Sequence, residues 1–174
     1  ELGFLKKGMT VVDLGAGDGY ISRTVAGYVK KVIAVDISGE MLNVLKNKAK
    51  ADGIRNIETL ESDGQDVDLE DGSADVIFAN MYLHHIDEPQ LAIKEIGRLI
   101  KPGGTVFLAD YNEHSNRELK EKMHDIWLGF NHSELINWFG KCGLKTINVE
   151  TLYDSNEDAK KTQRESIFVL TAKK

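Results

Sequence analysis

Glycines at 15, 17 and 19 and the aspartate at 36 are the residues of this 174-residue chain whose types and spacing point most directly to chemistry. The run Thr10-Val-Val-Asp-Leu-Gly-Ala-Gly-Asp-Gly19 climbs through apolar and β-branched residues into the three glycines, and Tyr20 to Val29 then reads as a helix. Glycine lets the backbone take positive φ and approach a ligand closely. Amides at the start of the following helix then point at whatever is bound there. Asp36 ends a second apolar run, Lys31-Val-Ile-Ala-Val-Asp36, about 20 residues beyond the first glycine. A nucleotide-binding βαβ unit places there the carboxylate that holds a ribose diol. The plain alternative for Asp36 is an exposed strand-end acid; its coupling to the glycine turn favours ribose.

Glycine spacing narrows the nucleotide. A dinucleotide fingerprint wants a third Gly or Ala where this chain has Tyr20. Asp13 and Asp18 flank the turn and would repel a pyrophosphate, whereas a sulfonium bearing an amino group suits them. Here the chain resembles the class I S-adenosylmethionine (SAM) methyltransferases, whose first motif reads much like Val12-Asp-Leu-Gly-Ala-Gly-Asp-Gly19. The likeness runs through nearly the whole chain. Asp63-Gly64 matches the acid and following residue that hold adenine. Asp71-Gly-Ser-Ala-Asp75, Leu83-His-His-Ile86 and Leu99-Ile-Lys-Pro-Gly-Gly104 resemble the small-molecule branch that includes quinone-biosynthesis methyltransferases. His124-Asp-Ile-Trp-Leu-Gly-Phe130 resembles a subset sometimes fused to winged-helix metal-sensing regulators.

The resemblance implies SAM as cofactor, S-adenosylhomocysteine as product, and a methyl acceptor that is a small molecule. It assigns the cofactor to Asp13, Gly15, Gly17, Gly19, Asp36, Ile37, Met41, Asp63, Gly64, Asn80 and Met81. It also implies N-terminal helices closing over the substrate, so residues upstream of Glu1 are expected. Two rivals remain on the residues alone: a nucleotide-dependent oxidoreductase, disfavoured by Tyr20 and the acidic turn, and a non-catalytic SAM-binding module of a regulator.

Composition sets the outer bounds. The length suits one domain with a real core, a methyltransferase domain over residues 1–174. A net charge of −6 argues against a large nucleic-acid footprint. The lone Cys142 excludes an internal disulfide and a multi-cysteine zinc site, and arsenic-methylating relatives use several cysteines, so that substrate is not expected. No apolar run reaches membrane-span length and no signal peptide is visible, so no membrane partner and a cytoplasmic compartment are expected. The sequence leaves the oligomeric state open.

The elements that must position these residues alternate strand and helix. Strands are expected at 10–14, 31–37, 57–62, 74–80 and 105–109. Helices follow from Tyr20, from Gly39 behind the cap Ser38, and from Pro89, with Lys101-Pro-Gly-Gly104 as a turn. Apolar stripes run through Ile21, Val25 and Tyr28, through Met41, Leu42, Leu45 and Ala49, and through Leu91, Ile93, Ile96, Leu99 and Ile100. Lys46, Lys48 and Lys50 fall on a helix back. Beyond Tyr111 come a helix through Leu119, Met123, Ile126 and Trp127, and another opened by the capping box Asn131-His-Ser-Glu134. Both are candidate lids. Leu144–Tyr153 and Ser166–Ala172 close the chain as strands. This is an α/β pattern: a doubly wound, mostly parallel seven-stranded sheet, with the last strand antiparallel beside strand five.

Methyl transfer asks mainly for positioning and dryness, so few dedicated catalytic groups are expected. His84 is the candidate base and His85 a candidate acceptor contact, both just past the fourth strand. The plain alternative is that one packs inward and the other is solvated. Adjacent side chains diverge, so no metal is expected from this pair, and Asp110 with Asn112 only faintly resembles the metal-dependent catechol methyltransferases. Tyr20, Tyr82, Tyr111, Trp127 and Trp138 are aromatics that could line an acceptor pocket, against the commoner role of aromatics as core, and Tyr20 and Tyr111 are the further candidates among them.

Overall fold

The computed structural model describes residues 3–118, 125–152 and 165–174. Strands β1 (Thr10–Leu14), β2 (Lys31–Asp36), β3 (Ile57–Glu61), β4 (Ala74–Asn80) and β5 (Ile100–Tyr111) alternate with helices α1 (Tyr20–Ala26), α2 (Gly39–Ala51) and α3 (Pro89–Leu99). Helix α4 (His132–Lys141) and strands β6 (Lys145–Leu152) and β7 (Ile167–Lys173) complete the chain. One seven-stranded sheet results, in the order β3-β2-β1-β4-β5-β7-β6. Among the described residues, no helix is long and apolar enough to cross a membrane.

Both faces of the sheet are covered, which is why its central strands are almost continuously apolar. Successive side chains of a strand point to opposite faces. Val12, Ile33, Ile77 and Leu108 accordingly join one core with Ile93, Ile96, Leu135 and Phe139. Val11, Val32 and Val76 join another with Val25, Ala26 and Val29. The parallel strands end together, so the loops after β1, β2, β3 and β4 open at one edge. Ligands gather at the carboxyl ends of such strands.

β7 lies between β5 and β6 and runs antiparallel to both, with Leu170 opposite Leu108 on one side and Val149 on the other. This is the arrangement expected for Ser166–Ala172. Tyr153, read as the end of a strand, and residues 154–164 of the charged loop expected from Asp154 to Glu165 lie outside the described residues.

Several local readings are corrected. α1 stops at Ala26, leaving Tyr28 beyond it and half exposed, while Met41 and Leu91 sit at the outer margin of their stripes. Lys101–Gly104 is not a turn before β5 but a bulge within it. Ala74 pairs with Ile100 and Val76 with Thr105, so the residues between loop out. Pro102 has no amide to give a ladder and Gly103 takes φ +80°, which together make such a bulge natural. α4 is not a lid: Leu135 and Phe139 are wholly buried in the main core. The helix expected through Leu119 and Met123 falls outside the described residues, and Ile126 and Trp127 lie in a bend rather than on a helix.

Candidate functional site

A cavity of about 330 Å³ opens over the ends of β1 to β4. Gly15, Asp36, Ile37, Asp63, Gly64 and Met81 line it, and so does the exposed His85. Tyr82, one of the aromatics read as possible pocket lining, and Val35, Ser62 and Ile86, which were not read as site residues, complete the wall.

The glycine turn is built around Asp36. Its carboxylate accepts from the Gly17 amide at 2.7 Å and the Ser38 amide at 2.9 Å, so the end of β2 holds the loop after β1. Gly15, Gly17 and Gly19 all have positive φ. Gly19 serves packing: it is the N-cap of α1, and a Cβ there would drive into Leu45. Met41 stands beside Gly17, where its methyl would be the nearest atom to an added Cβ, at 3.8 Å.

Tyr82 is the buried post behind the cleft. Its hydroxyl donates to the Asp63 carbonyl at 3.0 Å, and burial together with the Asp63 charge raises its pKa far above the ordinary range. Its ring presses on the backbone of two loops at once: a Cβ on Gly15 would come within 2.8 Å of the ring, and one on Gly64 would meet the hydroxyl. Both glycines therefore belong to a packing triangle with Tyr82. Met81, directly before it, holds φ +51° although it is not glycine, with its amide bonded to the Ala109 carbonyl at 2.8 Å. Strain of this kind costs about 1–3 kcal/mol and gathers at ligand sites.

Asp13 is buried beneath the turn, where one carboxylate oxygen accepts from the Ser22 hydroxyl at 2.6 Å. Burial pushes its pKa up to about 6, the Ser22 hydroxyl and amide pull the other way, and Asp36 adds to the rise. A folded-state value above the unfolded one means that folding takes up protons between pH 4 and 6. Stability from this group is complete below pH 4 and is lost as pH rises through 6, by up to about 3 kcal/mol. Asp13→Asn keeps an oxygen for Ser22 and is expected to raise the melting temperature at pH 8 while changing it little at pH 4. Equal effects at both pH values in thermal denaturation would remove the buried charge as the cause.

Asp18 is engaged by Lys48, which corrects the reading of that lysine as remote on a helix back. Tyr20 is exposed on the first turn of α1, and Asn80 is exposed at the end of β4; neither is among the residues lining the cavity. Tyr111 is partly buried with its ring 5.0 Å from that of His84, and burial, with Asp125 and Asp110, raises its hydroxyl pKa.

Leu83–His85 forms a single 3₁₀ turn, bonded through Leu83 and His84 amides to the Asp110 carboxylate. Three residues per turn set neighbours about 120° apart rather than on opposite sides, so the histidine rings converge, with centroids 4.0 Å apart. His84 is buried, with Nδ1 2.8 Å from Asp110 Oδ1 and Nε2 3.6 Å from Asp125 Oδ1, while His85 faces the cleft. Asp125 entered the sequence reading only as part of His124–Phe130 and not as a site residue, since nothing in its spacing ties it to a turn some forty residues earlier.

Comparison with known proteins places this geometry. The methyltransferase domain family matches residues 12–108. Over 166 residues the chain is 29% identical to the ubiquinone biosynthesis O-methyltransferase of Coxiella burnetii (strain Dugway 5J108-111), covering 84% of this chain and 68% of that protein. The structure of YcgJ from Bacillus subtilis superposes with a TM-score of 0.81 at 20% identity, over 98% of this chain and 93% of that one. A SAM-dependent methyltransferase from Aquifex aeolicus superposes with a TM-score of 0.76 at 24% identity, over 97% and 83%. These two likenesses are likenesses of fold. The family match spans the glycine turn, Asp36, the Asp63-Gly64 pair and both histidines, and on it the chain belongs to the class I SAM-dependent methyltransferases.

Proposed function

We propose that the chain methylates a small, largely apolar acceptor that enters the cleft beside His85, and that the loops at the ends of β1 to β4 hold the cofactor. The observation that carries the acceptor class is the charge of the cleft. Asp36 and Asp63 line it, and no lysine or arginine does among the described residues. Arg23, Lys31, Lys48, Arg98 and Lys101 are each committed to carboxylates elsewhere. A polymer of phosphates needs clustered, available cations. The same acids, with glycine backbone between them, fit a ribose-bearing cation and reject a pyrophosphate. The relative named for ubiquinone biosynthesis supports a small acceptor.

Bound SAM supplies an electrophilic methyl carbon on a good leaving group. The chain's own work is placement and exclusion of water. Backbone at Gly15 and Gly17 approaches the methionine part, Asp36 accepts from the ribose hydroxyls, and Asp63 with Gly64 borders the adenine. Asn80 and Met81 present backbone near the amine, and Ile37 and Met41 flank the ribose with apolar atoms. His85 is the imidazole within reach of an acceptor, and His84, the candidate base by sequence, stands buried behind it. Labelled SAM offered together with a panel of phenols, amines and thiols and with DNA, RNA and protein is expected to mark the small molecules. Preferential labelling of any polymer would overturn this reading.

A further inference from the structure

Behind His85 a ring nitrogen of His84 and the carboxylate of Asp125, both buried, face each other. The Asp110 carboxylate accepts from the Leu83 amide at 2.9 Å, the His84 amide at 3.3 Å and the Tyr111 amide at 2.7 Å, and it meets His84 Nδ1 at 2.8 Å. A carboxylate only accepts, so a proton sits on Nδ1, and in the neutral imidazole Nε2 keeps its lone pair. That lone pair lies 3.6 Å from Asp125 Oδ1, beyond hydrogen-bonding distance. Asp125 is 3% exposed, and its other oxygen, Oδ2, has no hydrogen-bond partner among the described residues. A buried carboxylate with an unpartnered oxygen is costly.

The placement of Asp125 is fixed by the residues after it. The Ile126 and Trp127 amides both donate to the His84 carbonyl, at 2.9 and 3.1 Å, and the Trp127 indole donates to the Ile86 carbonyl at 2.9 Å. His85 Nδ1 lies 3.8 Å from the same Asp125 oxygen that faces His84, and the ligating atoms of all three residues fall within 4.8 Å of one another. Ligand atoms of a tetrahedral zinc ion stand roughly 3.3 Å apart when each bond is about 2.0–2.1 Å. The separations to Asp125, 3.6 and 3.8 Å, exceed that by a few tenths of an ångström, and the two imidazole nitrogens lie within 4.8 Å of each other, so side-chain rotation is what closes the cage.

We propose that His84, His85 and Asp125 bind a divalent transition-metal ion of the zinc type, at the acceptor end of the cleft. Two imidazole nitrogens and one carboxylate oxygen make a borderline donor set suited to zinc, and three protein ligands leave a position open. Asp110 behind His84 fixes the tautomer and ring plane, as metal-ligating histidines require. His85 lines the cleft with Met81 and Ile86, so the open position faces it. The site rests on the methyltransferase reading for its use. An acceptor hydroxyl taken as fourth ligand becomes anionic: its O–H bond breaks, the pair stays on oxygen, and the proton leaves to water.

Full-length protein stripped with a chelator is titrated with Zn²⁺ in equilibrium dialysis and with Co²⁺ followed by visible absorption. One equivalent of each metal is expected to bind. His85→Ala, Asp125→Asn and Asp110→Asn are each expected to weaken binding at least tenfold. His85 is exposed, so His85→Ala remains informative if the buried variants fail to fold. Absence of saturable binding by the unsubstituted protein, or equal binding by His85→Ala, would overturn the site. SAM affinity is measured calorimetrically on the same stripped protein. Failed metal uptake there overturns the metal site alone, and failed SAM binding overturns the methyltransferase reading alone.

Discussion

Asp36→Ala is expected to weaken SAM binding roughly ten- to a hundredfold, the loss of one charge-assisted contact worth about 1.5–3 kcal/mol. The structure makes this residue a double agent. Each carboxylate oxygen already accepts one backbone amide, from Gly17 or Ser38, which aims the carboxylate and leaves lone pairs on both oxygens for a diol. Removing it therefore loosens the glycine turn as well as the ribose contact. Titration calorimetry with SAM reads the combined effect, and unchanged affinity would take Asp36 out of the site.

The second large effect is expected at Gly64. Alanine there must hold φ +80° and place its Cβ against the Tyr82 hydroxyl, with Tyr82 Cζ only 3.0 Å away. Left-handed backbone costs a non-glycine residue about 1–2 kcal/mol, and overpacking adds about 1–3 kcal/mol. A fall in melting temperature of roughly 5–15 °C follows for a chain of this size. Tyr82→Phe removes the nearest obstacle, so the penalty of Gly64→Ala in that background should shrink by at least about 1 kcal/mol. Additive costs in the double-mutant cycle would show that Tyr82 is not what forbids a side chain at position 64.

What could be read in advance, and what could not, divides along a physical line. Strand–helix alternation, the glycine turn and Asp36 are local in sequence, and periodicity or spacing reveals them directly. The antiparallel β7 was legible because the charged stretch before it reads as a loop rather than as a crossover helix. Tyr82 was counted only among possible pocket aromatics, because its importance lies in pressing on Gly15 and Gly64, sites distant along the chain. α4 resembled a lid because an apolar stripe shows that a helix face is buried, not what it is buried against. The histidine pair was expected to diverge, as it would in a strand. The 3₁₀ turn tied to Asp110 changes that angle, and Asp125 arrives only through backbone bonds to the same turn. Contacts of this kind have no sequence period to betray them.

The place of β7 in the sheet has a consequence for synthesis on the ribosome. β6 is made before β7 yet touches the sheet only through it, so β6 cannot dock when it emerges. Until β7 arrives, β5 offers one side of its backbone as an open edge. Unpaired edges of this sort recruit other chains. A nascent chain stalled after β6 is thus a sheet with its seam unsewn, a natural client for a chaperone that covers β5 until translation supplies the missing strand.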